Sequence, residues 1–132
     1  MNILLIEDDK MLLRMLTKNL EDHGHRVFGA GDGREAVDLA LENEVDAIVC
    51  DLMMPVISGV TFLHSREKFM PPDIPVIVIS GLEEGENVLK SLDVKYRYFL
   101  EKPVDMERLL YLLDKTWVDR IISGSKENLL PE

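Results

Sequence analysis

Polar side chains suited to phosphoryl transfer follow four apolar runs along the chain. In chain order they are Glu7-Asp8-Asp9, Asp51, Ser80 and Lys102. Carboxylates without histidine or cysteine neighbours favour a hard cation such as Mg²⁺, which keeps several waters and binds near phosphate oxygens. A lysine adds a positive charge suited to an anion. If the fold brings them together, these groups indicate a site for phosphoryl transfer onto Asp51.

Taken singly, each of these residues also has an ordinary structural explanation. An aspartate after a strand commonly caps the next helix, so Asp8 or Asp9 alone fits a helix cap equally well. Ser80 alone is typical of a turn, and Lys102 alone is typical of a solvated surface cation. Their joint occurrence at successive strand ends is what favours a functional site.

The elements that must position these residues alternate from end to end of the chain. Apolar or β-branched runs predict five strands, near residues 3–6, 25–30, 47–50, 76–79 and 98–100. Apolar residues at helical spacing predict five helices between and after them. This alternation indicates an α/β fold with a mostly parallel sheet and helices on both faces. Ligands bind such sheets at the carboxyl ends of the strands, where the polar residues fall.

Size and composition indicate one globular domain. The chain has 132 residues, of which 46% are hydrophobic and 30% charged. We expect the domain to span residues 1–122, with residues 123–132 forming a C-terminal tail or the start of a linker. The single cysteine, Cys50, excludes an internal disulfide, and there is no signal-like or membrane-length apolar segment. These features predict a cytoplasmic location.

The charge balance narrows the possible partners. Twenty-five acidic residues against fifteen Lys and Arg give a net charge of −10. Such a surface repels nucleic acids and anionic lipids, so we expect no direct binding of either by this domain. DNA binding would require a second domain.

Four motifs in this order resemble the receiver domain of two-component response regulators, the family that includes the chemotaxis regulators. The motifs are Ile6-Glu7-Asp8-Asp9, Asp51-Leu52-Met53-Met54-Pro55 with Gly59, Ser80-Gly81 and Lys102-Pro103. The resemblance covers about residues 2–121. It implies a doubly wound, flavodoxin-like sheet of five parallel strands in the order 2-1-3-4-5, with five helices.

The resemblance also implies a phosphoacceptor and a metal site. Asp51 matches the aspartate that receives a phosphoryl group from the phosphohistidine of a histidine kinase. Asp8 and Asp9 match the acidic pair that holds Mg²⁺, together with Asp51 and the backbone carbonyl of Met53.

Three further positions match residues that respond to phosphorylation. Ser80 and Lys102 match the hydroxyl and the lysine that contact the phosphoryl group. Phe99 matches an aromatic whose rotamer reports the phosphorylation state, although a plain core aromatic is the alternative for it. The bond between Lys102 and Pro103 is expected to be cis.

The implied function is a phosphorylation-activated switch and not a turnover enzyme, although it catalyses its own phosphorylation and slow dephosphorylation. The surface of the fourth helix, fifth strand and fifth helix is expected to change and control a downstream domain or partner. Expected partners are a sensor histidine kinase or phosphotransfer protein, an effector domain following this chain, and a second copy on phosphorylation.

Three other classes of protein could share parts of this sequence pattern. A flavodoxin-like FMN protein would need a Ser-, Thr- or Gly-rich phosphate cradle after the first strand, where Glu7-Asp8-Asp9 would repel the phosphate. A haloacid-dehalogenase-type phosphatase would need a second acid two residues after its nucleophile, where Met53 stands. An inert receiver kept only for binding stays open, although every position needed for phosphorylation is present.

Overall fold

A parallel five-stranded sheet lies at the centre of the fold. The computed structural model describes residues 1–52 and 58–129. The strands are β1 (Asn2–Ile6), β2 (Arg26–Ala30), β3 (Ala47–Asp51), β4 (Val76–Ser80) and β5 (Tyr98–Glu101). They pair in the order β2-β1-β3-β4-β5, and every pair is parallel. The predicted doubly wound fold and strand order are confirmed.

Five α-helices connect or follow the strands in the described part of the chain. They are α1 (Lys10–Asp22), α2 (Gly33–Glu42), α3 (Gly59–Ser65), α4 (Gly85–Ser91) and α5 (Met106–Leu129). A turn of 3₁₀ helix (Arg66–Lys68) follows α3. None of the helices described is long and apolar enough to cross a membrane.

Helix α5 extends beyond the position at which the sequence predicts its end. Its backbone is helical to Leu129, past Ile122. One glycine and two serines in this stretch have low helix propensity, but the cost is only about 1 kcal/mol or less per residue. The division of the chain into a domain of residues 1–122 and a tail of residues 123–132 stays a prediction.

Apolar side chains cover both faces of the sheet. On one face, Leu4 and Ile48 pack in a cluster with buried residues of α2, α3 and α4. On the other face, Leu5 and Val49 pack in a cluster with buried residues of α1 and α5. Burial on both faces explains why these strands are continuous apolar runs instead of alternating ones. With the interior filled in this way, polar chemistry is confined to the strand ends.

Candidate functional site

An acidic cluster forms where the carboxyl ends of β1 and β3 lie side by side. One carboxylate oxygen each from Glu7, Asp8 and Asp51 lies within 4.8 Å of the others. Glu7 is fully buried and Asp51 is 4% exposed, whereas Asp8 is exposed. Three negative charges held this close repel one another unless a cation lies among them.

Asp9 has a different position from the one expected of a metal ligand. Its Oδ1 accepts hydrogen bonds from the backbone N–H groups of Met11 at 3.0 Å and Leu12 at 3.1 Å. Asp9 is therefore the N-cap of α1, and within the described residues the cluster contains Glu7 in its place. The expected carbonyl ligand, Met53, lies outside the described residues.

Lys102 joins the cluster from the end of β5. Its Nζ donates to Oε1 of Glu7 at 2.6 Å and to Oδ2 of Asp51 at 3.4 Å. Its backbone N–H donates to the carbonyl of Ser80 at 2.8 Å, which holds the two strand ends together. Burial opposes the charge on Lys102, but the hydrogen bond to Glu7 and the two carboxylates raise its pKa overall.

The charged form of Glu7 is destabilised by its buried surroundings. Burial and then its hydrogen bond with Asp51 raise its pKa to about 7, while Lys102 partly opposes the rise. In the described structure its Oε2 is buried without a hydrogen-bond partner. A buried oxygen of this kind carries a free-energy cost until a donor or cation reaches it. This unsatisfied oxygen, beside two further carboxylates, fits a hard divalent cation.

Ser80 and Phe99 meet at the start of α4. Ser80 is 1% exposed at the end of β4, and its Oγ accepts a hydrogen bond from the N–H of Leu82 at 3.0 Å. Gly85 is the first residue of α4. A β-carbon there would lie 3.1 Å from Cζ of Phe99 and 3.2 Å from Oγ of Ser80. The Ser80 hydroxyl and the Phe99 ring therefore leave little room for a side chain at position 85.

The remaining motif positions support the strand ends. Helix α3 begins at Gly59, where a β-carbon would lie 2.0 Å from the carbonyl oxygen of Asp51, so only glycine allows this approach. Ser58 caps the helix by accepting from the N–H of Thr61 at 3.2 Å. The bond between Lys102 and Pro103 is cis, as the resemblance implies.

The sequence reasoning missed Glu7 as a member of the cluster, although a signal for it was present. Glu7 directly follows the last apolar residue of the strand, and Asp9 directly precedes a helical pattern. The second position is the one that an N-cap occupies.

Comparison with known proteins identifies the family. Residues 3–114 match the response regulator receiver domain, so the chain belongs to this family. It is 32% identical over 108 residues to "Response regulator MprA" of Mycolicibacterium vanbaalenii, covering 82% of this chain and 46% of that protein. It is 33% identical over 131 residues to the "DNA-binding dual master transcriptional regulator RpaA" of Synechocystis sp., covering 96% and 54%. The chain thus spans about half the length of the curated relatives it matches.

Solved structures agree with this assignment. The receiver domain of the Francisella response regulator 1452 superposes with a TM-score of 0.80 and 29% identity, covering 90% of this chain and 98% of that one. As a receiver domain of the two-component response regulators, the chain is a phosphorylation-dependent signalling switch.

Proposed function

We propose that Asp51 is the phosphoacceptor and that a sensor histidine kinase or phosphotransfer protein supplies the phosphoryl group. The observation that carries this proposal is the ammonium of Lys102, which contacts Asp51 and the buried Glu7 at the carboxyl ends of the strands. A carboxylate oxygen of Asp51 attacks phosphorus, the bond from phosphorus to the imidazole nitrogen breaks, and histidine leaves. Lys102 offsets the charge of the transferred group, and the Ser80 hydroxyl is placed to turn towards it.

We propose Glu7, Asp8 and Asp51 as the residues that hold Mg²⁺. Their oxygens form the acidic cluster, and the unpartnered Oε2 of Glu7 supports a cation there. When bound, Mg²⁺ would neutralise phosphoryl oxygens and help to align the attack. Asp9 fits the role of cap better, because two backbone N–H groups already engage its carboxylate.

The signal is proposed to leave through Phe99 and the surface of α4, β5 and α5. The Ser80 hydroxyl and the Phe99 ring both lie close to the position that a β-carbon of residue 85 would occupy, and this closeness supports a route from the phosphoryl group to that surface. We further propose that the domain works in the cytoplasm, is not a turnover enzyme, and controls an effector domain or partner. A homodimer formed on phosphorylation belongs to the same proposal.

Phosphorylation is expected to require Asp51. Incubation with a small phosphodonor and Mg²⁺ should add one hydroxylamine-labile phosphoryl group, because an acyl phosphate is readily attacked by that nucleophile. Asp51→Asn and EDTA should each abolish the product, measured by intact-protein mass spectrometry. Asp38→Asn, on the exposed side of α2, serves as the control and should be phosphorylated normally. Full phosphorylation of Asp51→Asn would contradict the assignment.

Magnesium is expected to stabilise the fold through Asp8 and not through Asp9. With metal at ~10–100 times its dissociation constant, linkage predicts a gain of about 1.4–2.7 kcal/mol, which thermal melts with EDTA or Mg²⁺ would measure. Asp8→Asn and Asp51→Asn should shrink the gain, because each removes an anionic ligand. Asp51→Asn without metal should melt above the wild type, since it relieves repulsion. Asp9→Asn is the matched control, because asparagine caps a helix about as well as aspartate. A gain that shrinks in Asp9→Asn as much as in Asp8→Asn would restore the ligand pair expected from sequence.

A further inference from the structure

A cleft lined by three basic residues lies at the opposite end of the sheet, where β4 and β5 begin. Its volume is about 360 Å³, and its walls include the segments that lead into β4 and β5 and Arg66 of the 3₁₀ turn. That volume falls within the usual range of ~300–1,000 Å³ for sites that bind small molecules. Strands β4 and β5 begin at this cleft and end beside Ser80 and Lys102, so the cleft lies at the opposite end of the strands from the site of phosphorylation.

Arg66 is the most unusual residue in this cleft. It is only 4% exposed, and its Nη1 donates to the carbonyl of Ile74 at a long 3.4 Å. Within residues 1–52 and 58–129 the guanidinium makes no other hydrogen bond and no ion pair. A guanidinium has five N–H donors, so most of its hydrogen-bonding capacity is unused. Burial lowers the pKa of the Arg66 guanidinium, and the negative charge of the neighbouring Glu67 partly opposes this effect.

Two more cations line the same cleft. Lys95 is 82% exposed and lies 3.7 Å from Glu67, an ion pair that contributes little at such exposure. Arg97 is half-exposed and pairs with Asp119 at 2.9 Å. Asp73 is the only carboxylate among the described residues of the lining, which therefore carries three positive charges and one negative charge. Glu67 and Asp119 offset the charges of Lys95 and Arg97, so Arg66 is the cation of this cleft that has no carboxylate in an ion pair with it among the described residues.

We propose that this cleft binds a small phosphate-bearing anion, with Arg66 as its buried anchor and Lys95 and Arg97 at its rim. The planar fork of a guanidinium matches the spacing of phosphate oxygens, and it is a common choice for partly buried anion recognition. Pro72, Ile74 and Pro75 also line the cleft, and apolar walls of this kind lower the local dielectric constant and strengthen an interaction between charges. This site does not depend on phosphorylation of Asp51.

The test is a titration with inorganic phosphate, followed by amide chemical shifts in two-dimensional NMR. EDTA and constant ionic strength keep Mg²⁺ and general salt effects out of the measurement. Shifts should saturate in the millimolar range and be largest at residues 66, 74 and 95–97. Acetate, the carboxylate probe, should bind at least several-fold more weakly, whereas equal binding would overturn the assignment to phosphate. Shifts centred on residues 8, 51, 80 and 102, or shifts that never saturate, would overturn the site itself.

Variants separate the anchor from the rim. Arg66→Gln should weaken the Kd for phosphate roughly tenfold or more, because it removes the charge-assisted hydrogen bonds. Lys95→Gln and Arg97→Gln should each weaken it by about threefold, as expected for exposed charges. Arg108→Gln, which removes an arginine stacked on Tyr111 of α5, is the matched control and should not change the Kd. If Arg66→Gln does not fold, the two rim variants decide, and wild-type affinity in both would overturn the proposal.

Discussion

Replacing Lys102 with methionine is expected to destabilise the metal-free protein by about 3–5 kcal/mol near neutral pH. The ammonium contacts Oε1 of Glu7 at 2.6 Å and Oδ2 of Asp51 at 3.4 Å, and both carboxylates are buried. Methionine keeps most of the side-chain volume but leaves the two carboxylates without their cation. The measurement is urea unfolding in EDTA, with Lys68→Met, an exposed lysine of the 3₁₀ turn, as the control.

The loss of stability caused by Lys102→Met should depend on pH in a defined direction. The pKa of Glu7 is raised to about 7 in the folded protein, so its contribution to stability is fully present below about 4.5 and is lost as pH rises through about 7. Lys102 opposes this rise, so its removal should move the pKa of Glu7 higher still. The defect should therefore be small near pH 5, where Glu7 is protonated, and large near pH 8.

A second substitution tests the cause of this pH dependence. Adding Glu7→Gln to Lys102→Met removes the buried charge and should recover much of the stability at pH 8. An equal loss for Lys102→Met at both pH values, or no recovery in the double variant, would show that lost packing and not uncompensated charge is responsible.

Gly59→Ala is expected to cost about 3 kcal/mol of stability or more, at the upper end of what overpacking usually costs. The new β-carbon would lie 2.0 Å from the carbonyl oxygen of Asp51 and 3.0 Å from that of Leu52. Both contacts are with backbone atoms, which cannot relieve the clash by changing rotamer. The start of α3 or the end of β3 must move instead, and Asp51 moves with the strand.

The experiment compares two glycine-to-alanine variants by urea unfolding and by the rate of phosphorylation with a small donor. In Gly31→Ala the nearest atom to the new carbon is Oε2 of Glu35 at 3.8 Å, so we expect nearly wild-type behaviour. Gly59→Ala should lower both the stability and the rate. Wild-type values for Gly59→Ala in both measurements would contradict the close approach of α3 to β3.

The fold was predictable because local and long-range signals agree. Apolar runs mark strands covered on both faces, and residues such as Asp32 and Ser58 cap the helices that follow them. Helical spacing with Val37 and Ala40 predicts that Leu41 also lies in the buried stripe of α2, but Leu41 is 63% exposed. Because α2 buries Ala36 and Ala40, a residue one step past Ala40 is turned about 100° away from the sheet.

The sequence alone could not show which of three adjacent acidic residues join Asp51 in the acidic cluster. Glu7, Asp8 and Asp9 carry the same charge, and only the exit angle of the chain from β1 decides which carboxylates reach Asp51. In the structure the chain turns into α1 at Asp9, which commits that side chain to two backbone donors. The topology of the strand ends predicts which elements bring acidic residues together, but the neighbouring backbone decides which side chains join the cluster.

The space beside Gly85 is too small for a side chain. A methyl group at this position would sit within 3.2 Å of both the Ser80 hydroxyl and the Phe99 ring, tighter than ordinary contact. To accommodate such a methyl group, the Ser80 side chain, the Phe99 ring or the start of α4 would have to shift by a few tenths of an ångström. An alanine at position 85 is therefore expected to disturb the end of β4, the ring on β5 and the start of α4 together.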